Sequence, residues 1–223
     1  MGCQCINDLV QISVHDLIQI VDRQADAVVG AAVLRKVVGA DLLAAVAGAH
    51  LPLTALIPCD ARNAEEIGSL LSQSGFVMLC GGHVPTQNHF FAQLGLPGLF
   101  HGYHGIVMGV SAGSMNAAHI VYAAPEEPGE AADPHYSRWM NGLGLTETRI
   151  LPHYQFIRDH VLDGQKMEDI ALADSKKRHF LALPDGSYIL CADGSEALYG
   201  KGWYFADGMM EEINEDEDVL PLR

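Results

Sequence analysis

The stretch Gly109-Val110-Ser111-Ala112-Gly113-Ser114 joins a short apolar run, Gly105-Ile106-Val107-Met108, to Met115-Asn116-Ala117-Ala118-His119-Ile120-Val121. The apolar run predicts a buried strand, and the segment behind the elbow predicts a helix. A Ser with Gly two places before it and two places after it, at a strand-to-helix turn, has the pattern of a nucleophile elbow. Such a turn is sharp enough to lift the Ser hydroxyl clear of a sheet. Its close neighbours must therefore lack bulk, as Gly109, Ala112 and Gly113 do. The start of the helix adds unpaired N–H groups and a positive dipole end, both suited to a developing oxyanion. The same pattern also occurs as a plain Gly/Ser-rich loop, so the flanking chain has to decide between the two.

Upstream, Phe76-Val77-Met78-Leu79-Cys80 is a continuous apolar run, which predicts a buried parallel strand. It ends in Gly81-Gly82-His83-Val84-Pro85-Thr86-Gln87-Asn88, where paired glycines let backbone N–H groups approach a ligand. A helix from about Thr86 to Leu94 is expected next. Further back, Leu53–Ile57 reads as a strand ended by Pro58. Asn63 reads as the N-cap of a helix reaching about Ser72, with Glu65 and Glu66 in its first turn. Residues 1–50 show helical spacing from Asp8 to Val21 and an Ala/Val-rich stretch, but no motif.

This alternation predicts an α/β fold: three layers, α/β/α, around a mainly parallel, doubly wound sheet. Sites in such sheets lie beyond the carboxyl ends of the strands, where Gly82 and Ser111 both fall. Downstream, residues 125–140 read as a polar surface loop, and Thr148–Leu151 as a strand running into Pro152-His153. Val161–Ala173 reads as a helix. Phe180–Leu183, Tyr188–Cys191 and Trp203–Phe205 read as strands, separated by the turn signals Asp185-Gly186, Asp193-Gly194 and Asp207-Gly208. A short antiparallel C-terminal extension of the sheet is therefore expected.

The 223 residues fit a single domain spanning 1–223. With 13 Lys and Arg against 28 Asp and Glu, the formal charge is −15, which argues against a nucleic-acid partner. The acidic cluster from Glu211 to Asp218 reads as a solvated tail. Five Cys at scattered spacings give no metal pattern, and Cys80 and Cys191, in apolar runs, are expected to be buried thiols. No leader and no membrane-length apolar run is visible. The expectation is a cytoplasmic protein with no cofactor, no metal and no membrane partner. The fold allows a homodimer.

A Ser nucleophile needs a base, usually His, and an acid that orients it. Of the eleven His, His153 follows an apolar strand and should reach the same rim as Ser111. Glu126, Glu127, Glu130 and Asp133 in the intervening loop are all candidate acids.

Four segments in order, Gly-Gly-His-Val-Pro-Thr-Gln-Asn (81–88), Ser-Ala-Gly-Ser-Met-Asn (111–116), Pro-Glu-Glu-Pro-Gly-Glu (125–130) and Leu-Pro-His-Tyr-Gln (151–155), resemble peptidase family S51. That family includes the aspartyl dipeptidases and cyanophycinases and has a fold like the class I glutamine amidotransferases, with Ser in place of Cys. The resemblance covers about Asp60 to Gly208. Residues 1–50 lack the strand and Gly/Ser/Asp loop that usually open the family. The resemblance implies Ser111 as nucleophile and His153 as base. The dipeptidase acid falls fifteen places after the nucleophile, which gives Glu126, a Glu where the dipeptidases have Asp. The implied oxyanion donors are the N–H groups of Gly82 and Ala112. Gln87 and Asn116 are read either as substrate contacts or as helix-capping groups.

The leading expectation is a serine peptidase acting on small peptides. An α/β-hydrolase esterase shares the order Ser, acid, His, but the short separation of Ser111 and His153 leaves no room for its usual intervening units. A catalytically impaired binding protein is the third reading.

Overall fold

The computed structural model describes residues 57, 59, 60, 63–214 and 219–222. The expectations for residues 1–50, and for the strand at Leu53–Ile57 apart from Ile57 itself, lie outside the described residues. A 3₁₀ turn, Ala64–Glu66, leads into α1 (Ile67–Gln73). Asn63 takes the N-cap position, but its Oδ1 accepts from the Asp60 N–H at 2.9 Å and not from the helix.

β1 (Phe76–Leu79) and β2 (Ile106–Gly109) pair in parallel, with Leu79 opposite Gly109. The connection carries α2 (Val84–Gln93) and the short α3 (Leu96–Leu99). Ile67, Leu71, Leu79, Leu96, Phe100 and Leu143 form the buried cluster that holds this unit together. Both strands therefore end on one edge, where the Gly81-Gly82 loop and the elbow begin.

The helix expected to run through Val121 is only α4 (Ala112–Asn116). Ile120–Tyr122 is β3, antiparallel to β4 (Trp139–Asn141), so the polar loop ends sooner than its composition implied. Two contacts explain the change. The Asn116 carbonyl accepts from the Leu143 N–H at 2.9 Å, and a Cβ on Gly142 would lie 2.1 Å from the Ala118 carbonyl oxygen. The returning chain thus occupies the space a longer helix needs, and Ile120, Val121 and Tyr122 have high strand propensity.

β5 (Ile150–Leu151) leads to α5 (Tyr154–Ile157). The helix expected over Val161–Ala173 is divided. β6 (Val161–Leu162) and β7 (Gln165–Lys166) form a hairpin, and only then does α6 (Met167–Ser175) begin. Asp163 and Gly164, with φ of 52° and 78°, supply the two left-handed residues such a turn requires.

β8 (Phe180–Ala182) pairs in parallel with β5, Leu151 opposite Ala182. Then follow β9 (Tyr188–Ala192), β10 (Ser195–Tyr199), β11 (Gly202–Ala206), β12 (Met209–Asn214) and β13 (Val219–Pro221). One sheet has the order β12-β11-β8-β5 and another β13-β10-β9. The antiparallel C-terminal part is larger than expected. Among the described residues the fold is mixed α/β with small sheets; the parallel strand pairs are β1–β2 and β5–β8, with an isolated parallel bridge between Ala118 and Thr146. Cys191, expected to be buried, is exposed because β9 is an edge strand; Cys80 is half-buried.

The main core stacks aromatic rings beneath the β5–β8 pair. Tyr122 and Phe180 have centroids 4.3 Å apart, and Phe180 and Phe205 5.0 Å apart. The buried Tyr122 hydroxyl donates to Asp174 at 3.0 Å, and Arg138 Nε lies 3.4 Å from the same carboxylate. The hydroxyl and the carboxylate are thus partnered inside an otherwise apolar core.

Candidate active site

The elbow is built by two close approaches. The Val110 N–H donates to the last carbonyl of β1, Leu79 O, at 2.9 Å. A Cβ on Gly113 would lie 2.0 Å from that same oxygen, and one on Gly109 would lie 2.6 Å from the Ser114 Cα. Only glycine fits at either position. Ser111 is left between them with φ 51° and ψ −123°, a backbone region costly for any residue with a Cβ. The turn is fastened behind it: the Ser111 carbonyl accepts from the Ser114 N–H at 3.0 Å, the Met115 N–H at 3.2 Å and the Ser114 hydroxyl at 2.5 Å.

His153 follows Pro152 at the end of β5 and is also left-handed, with φ 58° and ψ 29°. Its Nε2 lies 3.0 Å from Ser111 Oγ. Its Nδ1 lies 2.7 Å from Asp185 Oδ1. The His153 and Asp185 side chains are 17% and 12% exposed, so the contact is largely withdrawn from water.

Strand register brings these two together. With Leu151 opposite Ala182 in a parallel pair, the residues just past both carboxyl ends meet on one rim. The Leu183 N–H donates to Leu151 O at 2.9 Å, and the Tyr154 N–H donates to Leu183 O at 3.0 Å. Gln155 Oε1 then accepts from the Asp185 N–H at 3.1 Å and holds the acid's backbone.

Asp185, and not Glu126, therefore faces the His153 ring. Glu126 lies elsewhere: its carboxyl accepts from the Val84 N–H in the first turn of α2. Protein packed around that carboxyl, together with the Glu130 charge, pushes it up to about 8, while solvent on the exposed side of the residue screens part of the effect. In the sequence Asp185 is visible only as half of an Asp-Gly turn signal. The clue was its position just past the carboxyl end of a predicted strand, the argument that singled out His153.

The two expected substrate contacts are occupied internally. Gln87 Nε2 donates to the Cys80 carbonyl at 2.6 Å, and Gln87 Oε1 accepts from Asn116 Nδ2 at 3.0 Å. Asn116 is fully buried and also accepts from Asn88 Nδ2 at 2.9 Å. This network fixes Cys80, at the start of the Gly81-Gly82 loop, to α4 and engages both side chains internally. Ala112 is the first residue of α4, so its N–H has no intrahelical acceptor. Gly82 has φ 143°, a conformation that glycine readily adopts.

Beside this loop, His83 Nε2 lies 2.8 Å from Glu130 Oε1, and His83 Nδ1 lies 2.8 Å from Thr86 Oγ1. Glu130 Oε2 accepts from the N–H groups of Glu126 and Glu127 at 2.8 and 3.0 Å. Burial pushes the Glu130 carboxyl up, but these two N–H groups and the His83 ring outweigh it and hold it below its usual value. His83, Glu127 and Glu130 bring ligand-type atoms within 4.8 Å of one another, and the hydrogen bonds just given account for the placing of His83 and Glu130.

No protein-family model matches the chain, and no curated protein matches it either. No helix among the described residues is long and apolar enough to cross a membrane.

Proposed function

We propose that this chain is a serine hydrolase that works through acyl transfer. The carrying observation is the continuous relay from Asp185 through His153 to Ser111, at 2.7 and 3.0 Å, with the Ser on a strained strand-to-helix turn. Ser111 Oγ attacks a carbonyl carbon as His153 Nε2 takes its proton. Asp185 keeps the Nδ1 proton directed to itself and stabilises the imidazolium that forms. The N–H groups of Ala112 and Gly82 hold the oxyanion. His153 then returns the proton to the leaving group, and water repeats the sequence on the acyl-enzyme.

Within that class, the reading is a peptidase of small peptides. It rests on the resemblance of the four segments to peptidase family S51, three of which supply Gly82, Ser111, Ala112 and His153. The three-layer, doubly wound architecture and the cytoplasmic setting are part of the same proposal. The two parallel pairs ending at the site, β1–β2 and β5–β8, support the former.

A fluorophosphonate probe should label the protein once, at Ser111, and labelling should vanish in Ser111→Ala. A dipeptide panel that includes N-terminal Asp should then show turnover that labelling blocks. An unlabelled wild-type protein overturns the hydrolase reading. Labelling with turnover of simple esters only overturns the peptidase reading.

A further inference from the structure

We infer that His83 and Glu130 are positioning residues that aim the Gly82 N–H at the oxyanion, a role that rests on the hydrolase reading above. The loop from Cys80 to Val84 is tied on its inner side by Gln87 and Asn116. Gln87 Nε2 holds the Cys80 carbonyl, and Asn116 Nδ2 donates to the Val84 carbonyl at 3.2 Å. Neither of these bonds reaches the three residues between, Gly81, Gly82 and His83; of these, His83 is held through its carbonyl, which accepts from the Gln87 N–H at 3.0 Å. Gly82 itself has no side chain, and a Cβ placed there would meet nothing within 4 Å. No side chain of its own therefore anchors Gly82, the residue that carries the donor.

The outer tie is the His83 ring. Its Nε2 meets Glu130 Oε1 at 2.8 Å, and the two side chains are 20% and 16% exposed. Glu130 is itself immobilised, because its other oxygen accepts from the Glu126 and Glu127 N–H groups. The segment 125–130 is thereby latched onto the residue next to the donor. An oxyanion donor must sit within a few tenths of an ångström of its place, and displacement by about 1 Å costs on the order of 100-fold in rate. A glycine with no packed side chain needs such an external brace.

Three substitutions separate this role from general support of the fold. His83→Ala removes the ring. His83→Gln keeps an N–H donor at nearly the reach of Nε2. Glu130→Gln keeps the shape and removes the charge; its single accepting oxygen cannot serve both the ring and the two backbone N–H groups, and its NH2 meets the ring only when the His83 proton moves to Nδ1. The experiment measures the second-order rate of fluorophosphonate labelling at Ser111, with kcat and KM on the best peptide, alongside each variant's melting temperature. The expected result is labelling and kcat slowed about 10- to 100-fold in His83→Ala and Glu130→Gln, with KM changed less than about threefold. His83→Gln should recover at least half of the logarithmic loss. Equal labelling rates in wild type and both variants overturn the positioning role and leave the hydrolase reading standing. So does a loss in His83→Gln as large as in His83→Ala. Should His83→Ala fail to fold, Glu130→Gln and His83→Gln carry the comparison. Failure of the wild-type protein to label overturns the hydrolase reading, and this role with it.

Discussion

Ser111→Ala is expected to lower kcat/KM by about 10⁶-fold on whichever peptide turns over best, and His153→Ala by a similar factor. The double variant should lose no more than either single one. The reason is mechanical: once the hydroxyl is gone, His153 Nε2 has no proton to take from the atom 3.0 Å away. Once the ring is gone, the hydroxyl keeps its ordinary, weakly nucleophilic form. Neither residue has partial work left to do. What activity survives would come from the proposed Ala112 and Gly82 donors and from substrate binding, which none of these changes touches. Steady-state kinetics on the three purified variants measure it. Additive losses, or full activity in His153→Ala, would remove the relay from the mechanism.

The second large effect separates two carboxylates. Asp185→Asn should cost about 10³- to 10⁴-fold in kcat, whereas Glu126→Gln should change it by about twofold at most. An Asn amide turned toward Nδ1 donates a hydrogen bond there, so the ring must carry its proton on Nε2, facing Ser111. It can then no longer accept the Ser proton. Glu126 has no such lever, since its carboxyl faces the Val84 N–H. Glu126→Gln has a different signature, in stability against pH. Burial and the Glu130 charge push the folded-state carboxyl up from its ordinary 4.5 to about 8, an effect that solvent on its exposed side screens in part. The stability linked to its proton is therefore full below about pH 4.5 and lost as pH rises through 8. Relative to wild type, Glu126→Gln should gain melting temperature at pH 9 and gain little or nothing at pH 5.

The readable parts of the chain were those whose signal is local. Phe76–Leu79 is an unbroken apolar run that ends at paired glycines, and the elbow carries its glycines where two backbone approaches exclude a Cβ. The position of His153 could be seen because Pro152 ends its strand. The acid could not be read the same way. Asp185 meets His153 only because β5 and β8 lie in parallel with Leu151 opposite Ala182, a pairing across some thirty residues that no spacing rule reports. Family spacing pointed instead to Glu126, in a segment that braces the neighbouring loop. Ile120–Tyr122 failed for a related reason. Its residues suit helix or strand, and the choice is made by Trp139–Asn141 lying alongside. At Asp163-Gly164 the turn signal was present, and helical spacing on either side masked it.

The backbone of Ser111 also bears on how such a protein can change over generations. A residue at φ 51°, ψ −123° costs the folded state about 1–3 kcal/mol, and only a residue without a Cβ escapes that cost. Ser111→Gly should therefore melt a few degrees above wild type while being inert, and Ser111→Ala, which keeps the Cβ, should not. A single codon change thus trades chemistry for robustness. Copies of this gene freed from selection for activity have an immediate advantage in folding to gain by taking it. Descendants with an intact core and a glycine at position 111 are the form in which inactive relatives should first appear.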